Sequence, residues 1–135
     1  MRKSIKYNRK QGIDWQEAPD IKKRVVVLLN KLGNTNFIST GIFCFRSTSA
    51  KTRAMARIWG FGKIWQLALN QKPAYIIEVI SEKFDSLSDK EKNNVLLHEI
   101  AHIPNNFSGA LVPHIKRGKR NFFDKVRRLI SISDN

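Results

Sequence analysis

Five consecutive residues, His98-Glu99-Ile100-Ala101-His102, combine side chains that can do chemistry with a spacing that lets them act together. On a helix, residues four apart share a face, so both imidazoles can point at one ion while the glutamate lies beside them. Neutral imidazole nitrogens bind zinc at about 2.0–2.1 Å, and a catalytic zinc takes three protein ligands and leaves a fourth position for water. The ion lowers the pKa of that water toward about 7, and a carboxylate that is not itself a ligand can take its proton. The H-E-x-x-H pattern therefore offers His98 and His102 as ligands, Glu99 as general base and one Zn2+ per chain as cofactor.

A third ligand is required. The chain holds only three histidines, and the remaining one is His114. No glutamate follows Glu99, which excludes zinc peptidases whose third ligand is a glutamate on a later helix. The metzincin spacing would place a histidine or aspartate six residues beyond His102, where Ser108 stands. In peptide deformylases the ligand is an upstream cysteine in a Gly-Cys-Leu context. Here the single cysteine is Cys44, in Phe43-Cys44-Phe45, which reads as a buried strand residue. His114 is left, with Asp124 as its one substitute. Pro104, Gly109 and Pro113 supply turns that could bring His114 back to the helix.

The motif needs a helix, and the sequence marks one. Ser88 as N-cap with Glu91 three residues on forms a capping box, Asp89 suits the positive helix end, and Pro104 stops a helix running from Asp89 to His102 or Ile103. Upstream, Asp20 can cap a helix whose apolar positions are Ile21, Val25, Leu28, Leu29 and Leu32, ended by Gly33. Strands are expected over 37–46, 52–59, 64–69 and 74–80, with Gly60-Phe61-Gly62 as a hairpin turn between the middle two. In the second strand Ala54, Ala56 and Ile58 should share one face, and Arg53, Met55, Arg57 and Trp59 the other. A last helix is expected over 121–132. This order, helix, four strands, helix and helix, predicts an α+β fold with a mostly antiparallel sheet in a single domain spanning 1–135.

Composition narrows the setting. With one cysteine there is no internal disulfide and no all-cysteine zinc site, which fits a reducing, cytoplasmic location. No apolar run approaches the roughly 20 residues of a membrane span, and no secretory signal is visible after the basic start. The net charge is +14, unevenly spread: residues 73–102 carry −3 and the rest +17. Residues 36–72 contain six basic and no acidic side chains. There Arg46, Lys51, Arg53, Arg57 and Lys63 interleave with Phe43, Phe45, Trp59, Phe61 and Trp65. Such a stretch could hold nucleic acid through phosphate contacts and base stacking, although the same rings would also serve as the core face of the sheet. The alternative function is therefore a basic nucleic-acid-binding protein with a structural or vestigial metal site, or a protease recruited to nucleic acid.

Several stretches resemble one family. Ala56-Arg57-Ile58-Trp59-Gly60, Ile64-Trp65-Gln66, the run Pro73–Ile80, Phe84–Ser88, and Leu97–Pro104 followed by Ser108-Gly109 and Pro113-His114 look like the phage and archaeal metallopeptidases, over roughly residues 50–115. The resemblance implies a small zincin-like fold, with His98, His102 and His114 as metal ligands, Glu99 as catalytic base, and a protein or peptide as substrate. More distantly, the layout is similar to minimal zinc proteases of the Spartan type, which digest proteins crosslinked to DNA. It also implies that a strand ahead of the active helix offers its edge to the substrate backbone, a place Tyr75–Ile80 would hold; Glu78 on that strand could face the cleft or solvent, and solvent is the favoured side. A donor to the developing oxyanion is needed as well, for which Tyr75, Lys116 and Arg117 are the candidates.

Overall fold

A computed structural model of the chain describes residues 12–33, 41–115 and 121–134. Strands β1 (Asp14–Glu17), β2 (Ile42–Thr48), β3 (Ala56–Gly60) and β4 (Tyr75–Ile80) form one sheet in the order β1-β2-β4-β3. β1 pairs antiparallel with β2 and β3 antiparallel with β4, while β2 and β4 run parallel. Helices α1 (Pro19–Lys31), α2 (Lys63–Leu69), α3 (Ser81–Phe84), α4 (Asp89–Ala101) and α5 (Phe122–Ser133) complete an α+β fold with a mixed sheet. None of the described helices is long and apolar enough to cross a membrane.

Side-chain alternation decides which sheet face is covered. Ile42 and Cys44 on β2, Ala56 on β3, and Tyr75, Ile77 and Val79 on β4 point to one side and are buried with α1, α4 and α5. α1 packs on β2, α4 on β3, and α5 on both of these helices. Cys44 is buried, as expected. The opposite side carries Phe43, Ile76 and Trp59, aligned across three strands in register, together with Trp15, and all four are exposed. The rings of this stretch therefore do not form the core face. Phe43 and Trp59 lie on the uncovered face, and Trp65 is exposed on α2.

Local chemistry explains most boundaries. Ser88 caps α4 with the reciprocal Glu91 bond, and Gly33, at φ 71°, follows the end of α1. α1 is capped by Ala18 rather than Asp20; Pro19 opens the helix, and the Asp20 carboxylate pairs with Arg46. The faces expected for the second strand hold over 56–59, but the observed strand starts at Ala56 rather than at residue 52 and runs on to Gly60. The first expected strand begins in residues outside those described and continues to Thr48.

The expected strand over 64–69 is instead α2. Gly62 is its N-cap, and Asn70 ends it in the left-handed conformation at φ 51°. Both edges of β4 are taken, by β2 and β3, and Lys, Gln, Leu and Ala are good helix formers. α2 turns its apolar residues Ile64, Trp65, Leu67 and Leu69 outward and buries Gln66. β1 and α3 had no counterpart among the expected elements.

Candidate metal centre

α4 changes character along its length. Its first half, Asp89–Asn94, is polar, whereas Leu96, Leu97, Glu99, Ile100 and Ala101 are buried, so the motif sits where the helix enters the core. His98 and His102 lie one turn apart with ring centroids 5.3 Å from each other. The helix ends at Ala101 with His102 as its C-cap, and the chain turns past Pro104 and returns so that His114 stands beside both rings, at 5.2 Å from His98 and 4.5 Å from His102. The facing nitrogens of His98 and His114, both Nε2, are 3.2 Å apart.

The donor set fits a small cation of imidazole preference. A tetrahedral centre with nitrogens at about 2.05 Å places them about 3.3 Å from one another, close to the His98–His114 spacing, and one ligand atom from each of the three residues lies within 4.8 Å of the others. His102 donates from Nδ1 to the Val112 carbonyl at 2.6 Å, which fixes its tautomer and leaves Nε2 free to coordinate. Burial, with the neighbouring histidines adding to it, pushes His98 down to about 4, and burial lowers His102 as well. Both rings are thus neutral at pH 7, the form that binds metal. Asp124, the substitute for His114, is outside this group and pairs with Arg127 on its own helix.

Glu99 is 7% exposed, and burial alone pushes its carboxyl up to about 8. A nearby cation acts in the opposite direction and would favour the charged form. The first residues of α5 close the other side of the site. Phe122 stacks on His102 at 4.3 Å and Phe123 on His114 at 5.9 Å. Asn121 starts this helix by accepting from the Phe123 N–H. Lys125 donates to the Ala101 and Ile103 carbonyls at 2.7 and 3.4 Å, satisfying acceptors at the C-terminal end of α4.

Other sequence expectations fare differently. Tyr75, expected as a donor to substrate, is fully buried, and its hydroxyl accepts from the Gly109 N–H and donates to the Ala110 carbonyl, both at 2.8 Å. Lys116 and Arg117 lie outside the described residues. Tyr75–Ile80 offers no edge, because β4 is paired on both sides. Among the described residues the free edge on the α4 side is that of β3. Glu78 does not face solvent: it is completely buried, held by Arg57 Nε at 2.8 Å, Arg57 Nη2 at 3.2 Å and the Trp59 indole N–H at 2.8 Å.

The sequence reading did not reach Val112, Lys125 and Gln66 as supporting groups. Val112 contributes through its carbonyl, so its side chain carried no signal, and Gln66 fell in a segment expected to be a strand. Phe122 and Phe123 were legible only as apolar residues opening a helix.

Among curated proteins and among solved structures, none matches the chain. A family described as "Putative phage metallopeptidase" matches residues 13–128. That span takes in the sheet, the motif helix, all three histidines and the start of α5, and the chain belongs to this family.

Proposed function

We propose that the protein is a zinc-dependent peptidase, with His98, His102 and His114 as ligands and Glu99 as the general base. The observation that carries this reading is the return of His114, sixteen residues beyond His98, to 3.2 Å from the His98 ring nitrogen. Packing alone gives a loop histidine no reason to bring its nitrogen against another imidazole. Zinc, when bound, would acidify a water and polarise the substrate carbonyl. Glu99 takes a proton from the attacking water on its carboxylate oxygen and passes it to the nitrogen of the leaving amine. Its burial keeps bulk water from competing for that proton. An extended substrate pairs through its backbone with the free edge of β3, the strand packed on α4.

The deciding experiment measures metal per chain by elemental mass spectrometry in the wild type and in His114→Ala. About one zinc in the wild type and a marked loss in the variant support the site. No metal in folded wild-type protein after zinc is offered overturns it.

A second reading adds a nucleic-acid partner to the peptidase. It is favoured by the exposure of Trp15, Phe43 and Trp59 on the uncovered sheet face of a chain with net charge +14. Two of the basic groups first considered for it are engaged elsewhere: Arg46 with Asp20 and Asp85, and Arg57 with Glu78. Lys51, Arg53 and Lys63 are exposed and supply the positive charge in this reading.

A further inference from the structure

The loop that carries His114 is gripped well before it reaches the site. Gln66, 7% exposed on an otherwise outward-facing helix, donates from its amide to two carbonyls, Phe61 at 2.7 Å and Ser108 at 2.8 Å. One residue on, Gly109 donates to the Tyr75 hydroxyl, and that hydroxyl donates to the next carbonyl, Ala110. Three consecutive loop residues are thus tied to two buried side chains, one from α2 and one from β4.

The backbone at this point leaves no room for slack. Gly109 has φ 92°, and a Cβ there would sit 2.2 Å from the Phe61 carbonyl oxygen and 2.4 Å from the Gln66 amide nitrogen. A Cβ on Gly60 would meet the Gly109 oxygen at 2.4 Å, so strand end and loop touch backbone to backbone. The Tyr75 ring is also held, by the edge of Phe107 at 4.9 Å. Beyond the grip, Val112 donates to the His102 carbonyl at 2.7 Å, Pro113 limits the backbone, and His114 follows.

We propose that Gln66 and Tyr75 are positioning residues for the third ligand: they fix residues 108–110 so that His114 is presented to His98 and His102. This rests on the ligand assignment made above. The hydrogen bonds of both side chains go to the loop and to Phe61, and none goes to an imidazole, so each acts through the loop. The buried Gln66 on a helix whose apolar residues face outward, and the buried tyrosine hydroxyl with both of its roles used, are what a loop anchor requires. Filling the same space with apolar side chains would leave the Ser108 and Ala110 carbonyls and the Gly109 N–H without these partners.

The test compares Zn2+ affinity, by competition with a chelating dye, in wild type, Tyr75→Phe, Gln66→Met and each of these combined with His114→Ala. Tyr75→Phe removes one oxygen and keeps the ring. Each single variant should bind zinc about tenfold or more weakly, as loss of groups that orient a ligand does. In the His114→Ala background the same changes should alter zinc binding little, because the ligand they position is gone. Where binding is too weak for the dye, the zinc-induced rise in Tm gives the same comparison. Unchanged affinity in the single variants, or an equal loss with and without His114, overturns the proposal, the second result pointing to general loosening of the fold. Absence of zinc binding in the wild type would instead overturn the ligand assignment, and this inference with it.

Discussion

Glu99 and Glu78 are both carboxylates removed from water, yet their surroundings give them opposite properties. At Glu99 burial is unopposed and raises the pKa to about 8. At Glu78 burial also pushes upward, but the hydrogen bonds from Arg57 and Trp59 win, and the group stays charged to lower pH than a free glutamate. In the proposed mechanism the first handles a proton, while the second ties β4 to β3 through Arg57 and Trp59. Glu99→Gln should accordingly retain zinc, measured as metal per chain, while peptide hydrolysis falls by about a hundredfold or more; full activity would remove Glu99 from the mechanism. Arg57→Ala should cost about 3 kcal/mol in urea unfolding, because it strands a buried charge. The pH dependence has a definite sign. A carboxylate with a folded-state pKa below its unfolded value of about 4.3 contributes stability above that value and loses it as pH falls through the folded pKa. The Glu78 contribution to stability should therefore fade below about pH 4, and Arg57→Ala, lacking the stabilised carboxylate, should lose less than wild type over that range.

Among the elements, α4 has the clearest local instructions. Ser88 and Glu91 bond each other's backbones at 3.2 and 3.1 Å, so Ser88→Ala should lower unfolding stability by about 1 kcal/mol. Metal affinity should stay near wild type, since the cap lies at the end of α4 away from the histidines; a large loss of zinc would show that the two ends are coupled. Caps like this are legible because their partners lie within four residues. α4 could be read for that reason, and α1 and α5 from the spacing of their apolar residues, with α1 capped by Ala18 rather than by the expected Asp20. α2 could not, because its identity follows from β3 having already occupied the edge of β4, a fact no local window contains. For the same reason β4 reads correctly as a strand but not as an interior one, and Glu78 reads as solvent-facing although Arg57 and Trp59, about twenty residues upstream, cover it. The histidines were found by type and spacing; the groups that hold them, Gln66, Tyr75 and the Val112 carbonyl, are distant in sequence and unremarkable in type.

Taken as a whole, the molecule has a covered sheet face, on the side of the three clustered histidines, and an open one that carries rings. If the open face holds nucleic acid as in the second reading, retention of single-stranded DNA should weaken at least tenfold between about 50 and 200 mM salt, and Trp59→Ala should weaken it further at fixed salt. Salt-independent binding, or none at low salt, would leave those rings to another role. The order of the parts along the chain has a consequence for synthesis. Among the described residues every strand is complete by Ile80, the three histidines follow between 98 and 114, and the rings that wall them arrive only with 122 and 123. A chain emerging from the ribosome makes its sheet first and its candidate metal centre afterwards. On the peptidase reading, a nascent chain of this design stays inert beside its own translation machinery until Phe122 and Phe123 have been delivered.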